Sequence, residues 1–342
     1  MSGRIRYLGF AEEAFYAETP PPEAEVMVDI ASASLDTPAD TQLLYTGGLT
    51  RGHRIHRPGF YAPSGGIEFA WDVDTVGWFL KWALGGYKFT PGGGEKEGMN
   101  LHEIYATDEA ILRSFCARLG KDIFEHTFSG CVINSLTLNT EGEYCLLSAD
   151  IVAAKDSKGA IKTLEAIEAL LPKAYPLAFH ELTAAVIDPS SDISAKVKSF
   201  SLQIGNNVSA DAGRSIGSRY PRRGIAGARD ITFSMNYYYE DTEMLERLWG
   251  DPVGPAAGGS EEYGLQLTWD GGDYGKLVIT LPRAINLQVQ QQPSGRDEIV
   301  QSISGRAVVG TVILNDDSEV VTDIACALEN GQDDMGSEEE ES

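Results

Sequence analysis

Arg54-Ile55-His56-Arg57-Pro58-Gly59 and Arg219-Tyr220-Pro221-Arg222-Arg223-Gly224 read as two versions of one segment. Each is followed by a Gly-containing stretch and a short strand-like run, Ile67-Glu68-Phe69 in the first case and Ile231-Thr232-Phe233 in the second. An Asp-Thr pair then opens an amphipathic helix, at Asp74-Thr75 and again at Asp241-Thr242, and Trp82 and Trp249 stand at equal distances from those pairs. Two more echoes follow in the same order. Ile133-Asn134-Ser135-Leu136-Thr137-Leu138 is answered by Ile285-Asn286-Leu287-Gln288-Val289, and Leu147-Ser148-Ala149-Asp150-Ile151-Val152 by Ile303-Ser304-Gly305-Arg306-Ala307-Val308. Four landmarks recurring in one order predict two copies of one β-rich domain. A chain built this way suits a ring, because a few subunits then present twice as many similar units.

The length of 342 residues accommodates two domains, each large enough to bury a core. Hydrophobic residues make up 42% of the chain, yet no apolar run approaches the roughly 20 residues of a membrane helix, so no membrane partner is expected. The opening Met1-Ser2-Gly3-Arg4-Ile5-Arg6-Tyr7 lacks a signal-peptide core and predicts assembly in the cytoplasm. Cys116, Cys131, Cys145 and Cys326 are widely spaced and read as reduced core thiols. The formal net charge is -24. Seven acids, Glu329, Asp333, Asp334 and Glu338 to Glu341, fall in a terminal run without bases that reads as a solvated acidic tail over 329–342. The remaining excess repels phosphate and disfavours broad nucleic-acid binding. It fits a saline cytoplasm, where charge is screened over a few Å, or a surface past which a polyanion moves without sticking.

Along the chain, 1–156 reads as the first domain, 157–176 as a linker with a short helix at 161–171, and 177–328 as the second domain. The pattern predicts helices from Asp74 to Leu84, capped by Asp74 or Thr75, and from Asp108 to Leu119. A β-hairpin is expected over Asn134 to Ala153, turning at Asn139-Thr140-Glu141-Gly142-Glu143. Further strands are expected at Val197–Ile204, Ile231–Tyr239, Leu265–Trp269, Lys276–Leu281, Ala284–Gln292, Glu298–Val309 and Val320–Leu328. The fold class expected is mainly β.

Phe128-Ser129-Gly130-Cys131-Val132-Ile133-Asn134-Ser135-Leu136-Thr137-Leu138, followed by Leu146 to Val152, resembles the tail tube proteins of long-tailed, non-contractile (siphovirus-like) viruses of bacteria and archaea. Val197 to Asn207, a variable loop, then Gly227 to Met235 is similar to that family's strand, axial loop and strand, and Glu12-Glu13 with Glu18-Thr19-Pro20 matches its acidic opening. The likeness spans most of residues 8–310. It implies two tandem tail-tube-type β-sandwich domains, each with a short flanking helix, in rings of six domains that stack into a hollow tube for genome passage. With two domains per chain, a homotrimer would close a pseudo-hexameric ring; six chains per ring is the alternative. It also implies a place in the virion tail, no cofactor and no catalysis, other tail proteins at the tube ends, and a tape-measure protein and DNA passing through the lumen without specific binding. A distal tail or tube-terminator component is the nearest alternative, and an acidic, saline-adapted β-sandwich enzyme or binding module the more distant one.

The corresponding loops 47–66 and 205–229 hold Arg51, Arg54, Arg57, Arg214, Arg219, Arg222, Arg223 and Arg229, eight of the chain's 16 arginines, against one acid, Asp211. Guanidinium groups pair carboxylates in a fixed two-pronged geometry, so both loops are expected to seek an acidic protein surface. Phe60 and Tyr220 add contact area. Since the family's loop reaches along the axis, these residues are the candidates for ring-to-ring stacking, with salt bridging inside the chain as the alternative. The lumen wall should lack net positive charge, because neutralised phosphates create binding wells. Glu141, Glu143, Asp297 and Glu298 are the candidates for an acidic wall or rim.

No set of residues nominates chemistry. The Gly92-Gly93-Gly94 loop lacks phosphate-loop spacing, His53 and His56 lack a completing ligand, and His180-Glu181 is followed at position 184 by Ala where a zinc site needs its second His. Tyr237-Tyr238-Tyr239 reads as a strand before it reads as a base-stacking platform.

Overall fold

In Val197–Gly205 and Asp230–Tyr238 buried side chains alternate with accessible ones, the signature of strands with one face on a core and the other on solvent. The computed structural model describes residues 5–28, 32–38, 41–44, 53, 55–186, 191–291 and 299–335. In the first half the elements are β1 (Ile5–Glu12), β2 (Val26–Val28), β3 (Ser32–Ala33), β4 (Thr41–Leu44), β5 (Ile55–Pro58), β6 (Ser64–Ala70), α1 (Val76–Leu84), β7 (Gly85–Thr90), β8 (Asn100–Ala106), β9 (Phe115–Lys121), β10 (Glu125–Asn139), β11 (Leu146–Val152) and β12 (Lys155–Gly159). Then follow α2 (Leu164–Glu168), β13 (Leu182–Val186), β14 (Ser191–Asp192), β15 (Val197–Gly205), β16 (Asp230–Tyr238), α3 (Glu243–Trp249), β17 (Tyr263–Asp270), β18 (Gly275–Gln291), β19 (Val300–Val308), β20 (Gly310–Ile313), β21 (Glu319–Thr322) and β22 (Ala325–Asn330). The protein is mainly β, and its named strand pairings are all antiparallel.

Two long strands turn corners. Residues 125–129 of β10 lie between β9 and β12, whereas from Val132 onward the strand pairs with β11 and then also with β15. Gly130 makes the bend with φ +66°, and its N–H donates to the Glu13 carboxylate at 2.9 Å. In the same way residues 276–280 of β18 lie between β17 and β22, and beyond Pro282 the strand pairs with β19, Ala284 still meeting Tyr263 of β17. The pattern predicts two strands here; Pro282 interrupts the apolar alternation without ending the ladder.

The main sheet runs β3-β6-β11-β10-β15-β16-β19-β18. It repeats one order: β3, β6, β11 and β10 hold the places in the first four that β15, β16, β19 and β18 hold in the second. Each corner strand carries one register shift against its hairpin partner, between Ile133 and Ser135 and between Asn286 and Gln288. Ile133 stands opposite Ile151 and Ala284 opposite Ala307, so pairing places the correspondence one residue from the sequence echo of Ile133 with Ile285. Beyond the shifts, Leu138 opposite Leu147 corresponds to Val289 opposite Ile303.

A single apolar cluster runs through both halves, joining Phe10, Phe79, Trp82 and Phe115 to Phe200, Phe233 and Trp269. Trp82 is fully buried and stacks on Phe115 at 4.3 Å, while Trp249 at the echoed position is only half-buried. The helices they sit on differ likewise, all nine residues of α1 being buried against two in α3. The expected helix over Asp108–Leu119 is absent: Asp108–Ser114 forms no helix and Phe115–Lys121 is β9. Cys116 and Ala117 make both faces apolar there, and a strand buried on both sides has no alternation to distinguish it from a helix.

Thr75 holds the N-cap position of α1 but makes no side-chain cap bond, and the carboxylate that meets the free N–H groups of this turn is that of Asp72. One Asp72 oxygen accepts the N–H groups of Asp74 at 2.8 Å and Thr75 at 2.9 Å, while Asp74 accepts those of Lys173 and Ala174. Burial and the neighbouring Asp74 charge push the Asp72 carboxyl up to about 7, against the pull of those hydrogen bonds. The folded state therefore holds this proton more tightly than the unfolded chain between pH about 4 and about 7, and stability attributable to Asp72 falls as pH rises through that window. Compared at pH 5 and pH 8 by denaturant unfolding, wild type should gain on acidification relative to Asp72→Asn, by an amount on the order of 2 kcal/mol; equal pH responses would refute this.

Buried Lys81 of α1 pairs with Glu12 of β1 and donates to the Met335 carbonyl. Glu12 also takes Arg113 at 3.0 Å, and burial holds the Lys81 ammonium below its usual range. The start of the acidic terminal run is thus packed rather than solvated. Glu329 and Asn330 complete β22, which pairs with β18 and with β8 of the first half, and Met335 is buried with its N–H on the Tyr87 hydroxyl at 3.0 Å. Residues 336–342 lie outside the described residues. All four cysteines are buried and free.

Candidate assembly surfaces

The two arginine loops are built differently. The first contains β5, which pairs with the preceding β4 in register Gln42 opposite Arg57, and every residue of β5 is exposed. The second, 205–229, folds back on itself, with the Arg222 N–H on the Gly213 carbonyl at 2.9 Å. Its base is fixed by buried Asn206, whose amide donates to the carbonyls of Ala83 at 2.9 Å and Ile133 at 3.1 Å. On the return, Ala226 donates to the Ala110 carbonyl at 2.8 Å, and Gly224 lies against Val132 with no room for a Cβ.

The loops meet at their bases. The Tyr61 N–H donates to the Arg219 carbonyl at 2.8 Å, and Arg219 Nε to the Gly59 carbonyl at 3.2 Å. The Tyr61 and Tyr220 rings meet edge to face at 5.7 Å, with the Arg219 guanidinium 5.6 Å from the Tyr61 ring and that of Arg214 5.5 Å from Phe60. Beneath them Asp156 of β12 accepts from the Tyr61 and Thr37 hydroxyls, each at 2.5 Å, and contacts His126 at 2.9 Å. Burial alone would raise the Asp156 carboxyl, but the Thr37, Tyr61 and His126 hydrogen bonds hold it below its usual range. Burial and the Asp156 hydrogen bond push the Tyr61 hydroxyl up to about 12. Nothing in the local sequence marks this cluster, because its members come from four separate segments.

The candidates therefore divide. Arg51, Arg54, Asp297 and Glu298 lie outside the described residues. Arg57, Arg214, Arg222 and Arg223 are exposed and have no carboxylate partner among the described residues. Phe60, Arg219 and Tyr220 are half-buried in the junction between the loops. Arg229 is occupied within the chain, with Nε 2.9 Å from Asp323 and Nη1 donating to the Thr107 carbonyl at 2.5 Å. Glu141 and Glu143 are exposed at the β10–β11 turn, where the Glu141 N–H is held by the Asn139 side chain at 3.0 Å.

The sheet has two open edges. Among the described residues β3 pairs with β6 alone, and Gln288–Gln291 of β18 pair with β19 alone. Inside the chain the corresponding edges are joined, β15 lying against β10 with Leu202 opposite Leu138. A sequence-profile match over residues 3–307 gives this architecture its family. The chain belongs to the phage tail tube protein family. No curated protein matches it. Members of this family are structural proteins rather than enzymes, and the tail tube assignment makes this a component of the virion tail. Among the described residues no group of three or more His, Cys, Asp or Glu side chains is arranged to hold a metal.

Proposed function

We propose that this tail tube protein is the main tube subunit of a siphovirus-like virus, in which rings of three two-domain chains stack into the conduit for genome delivery. The observation that carries this is the pair of open edges. The β10–β15 joint joins the two four-stranded runs, and the same joint made between β18 of one chain and β3 of the next would continue the sheet around a ring. The register carries over: Leu138 corresponds to Val289 and Leu202 to Ala33, so Val289 should face Ala33 of the neighbouring chain. Two domains, 1–156 and 177–328, fit the repeated strand order, with β22 strapping them together. The strongly negative charge fits a halophilic host. Negative-stain imaging and mass measurement at high and low salt test the reading: three-chain rings and tubes are expected, and a monodisperse monomer would refute it.

The exposed arginines fit the stacking contact between rings. An exposed ion pair contributes about 0–1 kcal/mol, but three or more per chain, repeated around a ring, sum to several kcal/mol. Replacing Arg214, Arg222 and Arg223 by Glu should weaken stacking by on the order of a thousandfold and leave single rings. Tubes of normal length from the triple variant would remove these residues from the stacking contact.

A further inference from the structure

One face of the main sheet packs on the core through Leu136, Leu138, Leu202, Phe233 and Ile303. The opposite face is almost free of charge, in a chain of net charge -24. Cross-strand neighbours there form continuous rows of small neutral polar side chains. Asn139, Ser201, Ser234, Ser304 and Gln288 make one row across β10, β15, β16, β19 and β18. Ser199, Asn236, Ser302 and Gln290 make the next. Within the second row the groups bond one another, Ser302 Oγ to Asn236 Oδ1 at 3.0 Å and Asn236 Nδ2 to Ser199 Oγ at 2.9 Å. The exceptions are few. Arg306 is neutralised by Asp230 at 2.8 Å and Arg283, opposite Val308, by Glu262 at 2.6 Å, while the acids Asp150 and Glu68 sit toward the β6 end, Asp150 taking the Asn134 amide at 2.7 Å. Both rows line a concavity of about 340 Å³, with Glu141 at its margin.

We propose that this neutral hydroxyl and amide ladder, rather than an acidic surface, is the wall that duplex nucleic acid meets in transit, with Glu141 at its rim. The assignment rests on the conduit reading, because a sheet joined from β18 to β3 encloses its concave side. The physical case concerns friction. A cationic wall neutralises phosphates, releases counterions and creates binding wells. A strongly acidic one raises a barrier that relaxes only over the screening length. Neutral hydroxyls and amides hold water but carry no charge that would draw a phosphate in or push it away, so a sliding polyanion finds neither well nor barrier.

Single cysteines introduced in the full chain as Ser234→Cys and, independently, Ser304→Cys test this, since all native cysteines are buried. In assembled tubes both thiols should react with small methanethiosulfonates but not with a polymer-coupled maleimide that labels them before assembly. Cationic and anionic reagents should react within about threefold of each other, with little change between low and high salt. A cationic preference of about tenfold or more that collapses in salt would show an acidic wall and overturn the proposal. So would polymer labelling in intact tubes, which would place this face outside. Unmodified protein that forms no tubes would instead remove the conduit reading itself, and the wall with it.

Discussion

Ala33→Pro should leave the subunit folded and abolish ring closure. The Ser34 N–H donates to the Gly66 carbonyl at 2.8 Å, so by the alternation of an antiparallel ladder the Ala33 N–H points away from β6, toward the open edge. Proline is tolerated on an edge strand when its missing N–H faces solvent, and it then blocks pairing with a further strand. In a single chain the substitution therefore costs little. In the ring it removes a hydrogen bond at each joint and places the pyrrolidine ring where Val289 of the next chain would lie. Ser34→Pro is the contrasting variant, because it deletes the bond to Gly66 and should lower the stability of the isolated subunit by about 3 kcal/mol. Unfolding curves and particle mass, measured on both, separate the two effects. Rings of normal size from a folded Ala33→Pro protein would show that β3 is not the closing edge.

Gly130→Ala should destabilise the subunit by about 2–5 kcal/mol. At φ +66° a side chain meets the left-handed penalty, and the added Cβ would lie 2.7 Å from the Ala154 Cβ and 3.1 Å from that of Ala17. Relief would require β10 to move at the bend where it passes between sheets. The Gly130 N–H would then leave the Glu13 carboxylate, which burial already pushes up to about 7. The measurement is the shift in denaturant midpoint at unchanged slope; a loss below about 1 kcal/mol would mean that the bend is not sterically defined by Gly130.

Much of this protein was legible in the chain because its determinants are local. The strand alternation of Val197–Gly205 and Asp230–Tyr238, the hairpin turning at Glu141-Gly142, and the arginine loops each lie within one short segment. The expected helix at Asp108–Leu119 failed because apolar spacing alone cannot separate a helix from a strand buried on both faces. The N-cap position of α1 at Thr75 was legible, but the carboxylate that accepts the free N–H groups is that of Asp72, since Asp72, Asp74 and Thr75 are equivalent cap formers until the backbone decides which side chain can reach them. The Asp156 cluster was invisible because Thr37, Tyr61, His126 and Asp156 are neighbours only after folding.

By itself the sequence determined the β class, the repeated landmarks and the imbalance of charge, all properties of composition and short-range periodicity. Tertiary structure alone decided which arginines remain exposed, which edges stay open and which face of the sheet is neutral. Those depend on the register between strands distant in the chain, and a shift of one residue in that register would exchange the two faces.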